Sequence, residues 1–299
     1  MEIFGIPSQA LFGQLLIGLI NGSFYALLSL GLAVIFGLLN IINFSHGAQY
    51  MMGAFVAYLA LQWFGLNYWL ALVISPLVVG AIGMAIERSM LVRLYKLDHL
   101  YGLLLTFGLA LIIQGLFRNA YGASGMPYAV PEVFTGAIDL GFMFLPKYRA
   151  WVIVSSMFVC FSTWFVIERT KLGAYLRAAT ENPSMVQAFG INVPRMIFYT
   201  FAINAVLAAA AALLVTPTYL AKFDMGESLG TKAFFAAIIG GFNNSRGALL
   251  GGLIVGVCEN LAAAYVSSAY KDAVALAIFM LVILFKPQGL LGRKEERKV

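Results

Sequence analysis

The chain has 299 residues, 62% of them hydrophobic and only 11% charged, with a mean hydropathy of +0.89, against about 45 to 50% apolar and about 25% charged in a soluble domain. That balance excludes an ordinary soluble enzyme, because one soluble core of this length cannot bury so many apolar side chains and the bilayer must serve as solvent for much of the surface. The 19 Lys and Arg residues exceed the 13 Asp and Glu residues, for a net charge of +6. Their distribution is more informative than their sum, and a nucleic-acid partner is not expected.

Long continuous apolar runs such as Asn67 to Ile86 call for helices, since a membrane β-barrel would alternate apolar and polar residues in short segments. With roughly 20 residues needed per crossing, the runs place spans near 10 to 38, 47 to 63, 67 to 86, 100 to 117, 150 to 167, 195 to 221, 231 to 244, 248 to 267 and 272 to 286. The expected fold is all-α, a polytopic helical bundle of about eight to nine spans forming a single domain over residues 1–299. The first run carries Asn21-Gly22-Ser23, the sixth carries Pro217 and the seventh is short, so each is a candidate for a kink or a break. Met1 to Pro7 lacks a basic stretch and does not resemble a cleaved signal peptide.

Cations cluster in Glu87 to His99, in Glu168 to Arg195 and in the tail from Lys286 to Lys298. The positive-inside rule puts all three in the cytoplasm and the N-terminus outside. Parity then favours nine crossings; a re-entrant seventh segment with a split first run would also satisfy it. Trp63, Trp69 and Trp151 fall at the outer interface on this reading. Ser45-His46-Gly47-Ala48 recurs as Ser245-Arg246-Gly247-Ala248, each opening an apolar helix, a faint hint of duplication.

Catalytic motifs are missing. Two His, no paired metal-spaced Cys, no His-Glu-x-x-His and no Gly-x-Ser-x-Gly leave no active site to assemble, and the dipeptide Gly-Lys never occurs, which excludes a P-loop. The two cysteines, Cys160 and Cys258, lie in apolar runs and suggest no disulfide framework. A chain of this kind is not expected to be an enzyme or to bind a cofactor, and any active transport must draw energy from a partner or an ion gradient.

The segment from Gly173 to Val193 stands apart. Asn182 can cap a short helix with Pro183 at its first position, and Gly190 sits where a left-handed residue ends one. Such a helix, presenting Met185, Val186 and Phe189, has the shape of a plug for a groove on another protein, or of an amphipathic turn resting on lipid headgroups. This segment, with Asn21 to Leu27, Asn40 to Gly47, Tyr265 to Asp272 and Phe285 to Leu290, resembles the permease subunits of branched-chain amino acid ABC importers, the LivH family. The resemblance covers nearly the whole chain. It implies a bacterial inner-membrane permease with a coupling loop at about 168–195 and a cytoplasmic tail at 287–299. The implied partners are a second related permease, two cytoplasmic ATPases that hold ATP and Mg, and an extracytoplasmic solute-binding protein. It assigns coupling to Arg177, Glu181, Asn182, Met185, Phe189 and Gly190. Related importers carry urea, amides or aromatic acids, and a gradient-driven secondary transporter or channel is the reading from another class.

Polar residues inside apolar runs are costly unless paired or facing water. Glu259, with Asn260 beside it, is therefore either a gate or pathway residue or half of a buried ion pair, for which Lys271 is the candidate partner. Asn40, Asn43, Ser45 and His46, just before Gly47, form either a polar break lining the path at an inner gate or a simple helix cap. Asn21, Ser23, Gln114 and Asn204 are expected to bond between helices, and the pairs Gly18/Gly22, Gly247/Gly251 and Gly252/Gly256 to let helices approach closely.

Overall fold

A computed structural model describes residues 2–3, 6–39, 43–94, 97–242 and 244–292. Its helices are α1 (Ser8–Leu39), α2 (Ser45–Phe64), α3 (Tyr68–Ser89), α4 (His99–Tyr121), α5 (Lys147–Arg169), α6 (Lys171–Glu181), α7 (Pro183–Ala188), α8 (Val193–Val215), α9 (Met225–Gly240), α10 (Ser245–Tyr265) and α11 (Lys271–Phe285). All but α6 and α7 overlap the nine apolar runs, one helix to each. Among the described residues the named strands form two small antiparallel pairs, Glu2–Ile3 with Ile6–Pro7 and Ala137–Asp139 with Phe144–Pro146. Among the described residues seven helical stretches, one of them α11 together with the 3-10 turn Ser268–Tyr270 that precedes it, are long and apolar enough to cross a bilayer, which makes the chain an integral membrane protein; α2 and α9 are not among them.

Local chemistry sets most boundaries. Asn67, Asp98, Asn192 and Asn244 each accept a backbone N–H of the first turn that follows, starting α3, α4, α8 and α10. Gly65, at φ 61°, ends α2, its own N–H bonding Leu61 O at 2.9 Å while the N–H of Leu66 reaches Ala60 O at 3.2 Å. Pro217 has no N–H to continue the ladder, so α8 stops at Val215, with Thr216 still helical in φ and ψ, and a turn follows, shorter than the run to 221 suggested. The Asn21-Gly22-Ser23 stretch, by contrast, passes through α1 without a break.

α1 is the central post, with 83% of its apolar window buried inside the protein. Lipid offers no hydrophobic drive for helix association, so the seams depend on small residues and close contact. A Cβ on Gly22 would lie 2.8 Å from Leu253 Cα, and one on Gly18 the same distance from Val257 Cα, so α1 and α10 touch backbone to backbone. Gly252 and Gly256 meet Ala26 and Gly22 from the other side. α3 closes on α8 through Gly80 and Gly83, and α4 and α11 stand at the periphery with only 17% and 6% of their windows buried. At one end of the bundle Trp69 meets Trp151 at 5.4 Å between ring centroids, and Phe134 stacks on Trp151 at 5.0 Å, tying α3 and α5 to the 122–146 connection.

Candidate functional site

α2 and α9, the two helices too polar or too short to cross unaided, meet inside the bundle. His46 Nε2 lies 3.1 Å from Leu28 O, well short of the end of α1, so α2 begins among buried side chains and not at a surface. Its Gly47 packs directly on the backbone of Gly226 in the first turn of α9, and a Cβ on Gly230 would come within 3.2 Å of Gly47 Cα. No residue with a side chain fits at this crossing. The 16 residues of α9 rise about 24 Å, less than the roughly 30 Å hydrocarbon thickness. The connection that precedes it, 216–224, is irregular and is held by paired backbone bonds between Ala221 and Met126, at 2.8 and 2.9 Å.

Asp224, Glu227, Ser228, Thr231 and Lys232 recur at helical spacing and form one polar face from the N-cap of α9 onward. All but Lys232 are exposed. Three cavities follow one another along this face. One of about 510 Å³ lies between Tyr25, Tyr219, Lys222 and Lys271; the next, of about 350 Å³, reaches Asp272; the third, of about 250 Å³, reaches Asn43, His46 and Phe107. The first and second share Asp224, Ser228 and Lys232, and the second and third share Glu227 and Thr231, so together they make a continuous groove with the polar face of α9 along one wall and apolar side chains such as Phe24, Phe107 and Leu111 on the others. Charged side chains at membrane depth do not face lipid. This face therefore turns toward water or toward another protein.

The groove has a charged latch. Lys232 Nζ donates to Glu259 Oε1 at 2.5 Å and to Asp272 Oδ1 at 2.9 Å, with Tyr25 Oη at 3.5 Å, joining α9, α10, α11 and α1. The Glu259 side chain is 8% exposed and that of Asp272 67%. Glu259 is thus half of a buried pair, but its partner is Lys232, and Lys271 lines the first cavity instead. The sequence reading missed Lys232, Asp272, Asp224 and Glu227. Lys232 was visible as a lone cation in the seventh run; Asp224 and Glu227 were lost because that run was started at 231, whereas α9 begins at Met225.

The remaining sequence candidates divide. Asn43 Oδ1 accepts from Ser45 N at 3.0 Å and Ser45 Oγ at 2.6 Å, which is a cap on α2, while Asn43 and His46 also line the third cavity and carry a buried Nδ2 and Nδ1 without partners. Asn40 lies outside the described residues. Asn260 Nδ2 donates to Gln14 O and Oε1 at 2.7 and 2.8 Å, a tie between α10 and α1 away from the groove. Asn204 donates to Gln49 at 3.0 Å between α8 and α2, as an interhelical bond should, whereas Ser23 bonds within its own helix to Ile20 O. Gln114 lines the third cavity.

At the far end, α6 and α7 form the segment singled out in the sequence. Asn182 Oδ1 accepts from Met185 N at 3.0 Å, Pro183 opens α7, and Gly190 takes φ 83°. Met185 and Phe189 are exposed at 56% and 76%. Val186 is not presented with them: it turns inward against Ala179 and Val193, because a six-residue helix must spend one apolar residue on anchoring itself. Arg177 stays exposed at the surface, donating to Ile167 O and pairing with Glu168 at 3.7 Å, so it braces the corner between α5 and α6. The Glu181 side chain lies outside the described residues.

Comparison with known proteins agrees with this architecture. Residues 14–283 match the family described as branched-chain amino acid transport system / permease component. The chain is similar to the high-affinity branched-chain amino acid transport system permease protein BraD of Pseudomonas aeruginosa, 35% identical with 96% of this chain and 97% of the relative covered. LivH of Escherichia coli, a permease protein of the same description, is 32% identical with the same coverage. LivM of Escherichia coli is 23% identical over 89% of this chain and 67% of its own length. By its residues and by these relatives, the chain belongs to the permease-component family of branched-chain amino acid transport systems.

Proposed function

We propose that this chain is the permease subunit of an ATP-driven importer of branched-chain or other small apolar amino acids, and that cargo passes along the polar face of α9. The observation that carries this reading is the continuous groove from Lys222 to Phe234, lined by charged residues that lipid would not accept. In an isolated chain the groove is open on one side. A second permease closes it; LivM, whose name places it in the same kind of transport system as LivH, suggests a related but distinct partner. Solute reaches the end bearing Trp69 and Trp151 from an extracytoplasmic binding protein. Residues 1–299 act as one membrane domain in a bacterial inner membrane, with the N-terminus periplasmic and the tail at 287–299 cytoplasmic.

The cytoplasmic segment 168–195 receives the push of two ATPases, which hold the ATP and Mg; this chain binds no cofactor and hydrolyses nothing itself. Exposed Met185 and Phe189 are the contact, Asn182 and Gly190 fix the shape of the helix that carries them, and Arg177 transmits its movement to the end of α5. Glu181, the last residue of α6, is assigned to the same contact. The test is leucine uptake in cells carrying the complete transporter. Met185→Ala with Phe189→Ala should lower uptake by about tenfold or more, as loss of buried interface anchors does, with unchanged amounts of chain in the membrane. Normal ATP-dependent uptake in that variant would overturn the assignment.

A further inference from the structure

The first two cavities of the groove meet at Lys232 and carry opposite charge. In the 510 Å³ cavity Lys222, Lys232 and Lys271 face a single carboxylate, Asp224; in the 350 Å³ cavity Asp224, Glu227 and Asp272 face a single cation, Lys232. The boundary between them is the 2.9 Å ion pair of Lys232 with Asp272.

The two carboxylates on Lys232 are not equivalent. Glu259 is buried and holds the ammonium from within the bundle, whereas Asp272 is 67% exposed. Asp272 stands at the solvent side of the buried Lys232, so water can take over the carboxylate when the contact opens and the loss is small on the Asp272 side. Lys232 stays neutralised by Glu259 when it does, which avoids the large cost of an unpaired buried charge. A solute bearing both charges on neighbouring atoms fits this opening. Its carboxylate can replace Asp272 on Lys232 while its ammonium satisfies the released Asp272, leaving every charge paired and the net charge unchanged. A simple anion leaves Asp272 without a partner, and a simple cation pairs Asp272 but brings no carboxylate to Lys232, so each uses only half of the site. The second cavity falls within the usual range of roughly 300–1,000 Å³ for small-molecule sites, and Phe235 and Ala275 give it an apolar wall.

We propose that the Lys232–Asp272 ion pair is a zwitterion site, into which an α-amino acid inserts with its carboxylate on Lys232 Nζ and its ammonium on Asp272, while Glu259 keeps the lysine in place. This inference rests on the reading of the α9 groove as the cargo path. It gives the permease its own check on cargo, separate from that of a binding protein: uncharged amides and sugars gain nothing from opening the pair.

A cysteine reporter at Ser228, which is exposed and lines both cavities, separates the two ideas. In a Cys258→Ser background, with Cys160 buried, Ser228→Cys is labelled by a water-soluble thiol reagent in permeabilised cells carrying the whole transporter. Saturating leucine should slow labelling by about threefold or more, as occupancy of a site requires. Leucinamide, which lacks the carboxylate, and 4-methylpentanoate, which lacks the ammonium, should not. Adding Asp272→Asn should abolish the protection, and Asp272→Glu should retain it. If Ser228→Cys does not label, the groove is not aqueous, and the path reading falls together with this inference. If it labels but leucine protects no better than the two analogues, or if Asp272→Asn keeps full protection, the groove stands and the zwitterion site is refuted.

Discussion

α4 and α11 on one hand, α2 and α9 on the other, divide the bundle by what surrounds them. α4 and α11 are apolar enough to cross a bilayer, yet only 17% and 6% of their windows are buried in the protein. α2 and α9 fall outside the helices that are long and apolar enough to cross, yet α2 buries Ser45, His46 and Gln49, and α9 buries Lys232 and carries the polar face of the groove. Apolar character permits contact with lipid without requiring it, since α1 is as apolar as α11 and yet 83% of its window is buried. Polar character in a helix at membrane depth is the stricter signal, because it demands an interior of protein or water.

If that division holds, substitutions at the interior helices should cost far more than equally drastic ones outside. The largest effect is expected at the latch. Lys232→Ala strands the buried Glu259 carboxylate, a loss of about 3–5 kcal/mol for a broken buried pair, seen as a marked drop in detergent-resistant folded protein; Lys232→Met combined with Glu259→Leu should recover most of the stability without recovering uptake. A smaller loss, about 1–3 kcal/mol from overpacking, is expected for Gly226→Val, which forces a side chain into the crossing of α2 and α9; thermal denaturation of the purified chain reads it directly. A Gly226→Val protein as stable as the wild type would mean that the two helices do not touch.

Much of this was legible beforehand, for identifiable reasons. Every apolar run became a helix, because backbone polar groups in lipid can be satisfied only locally, and the cap at Asn182 with the left-handed Gly190 was readable because both depend on neighbours in sequence. Long-range choices were hidden. Nothing local says that Glu259 pairs with Lys232 and not with the nearer Lys271, or that Val186 turns inward while Met185 and Phe189 do not. The start of α9 was misplaced because Asp224, Glu227 and Ser228 read as loop by hydropathy; only the packing of Gly226 on Gly47 shows why a helix begins there.

The central claim is that the polar face of α9 lines an aqueous path while the outer face of α11 meets lipid. Single cysteines at Asp224, Glu227 and Thr231, and at Leu276, Met280 and Leu284 of α11, all exposed in the chain, can be compared in the assembled transporter with a charged thiol reagent. The account predicts fast labelling at the three α9 positions and slow labelling at the three on α11. Equal rates on the two helices, or faster labelling on α11, would contradict it.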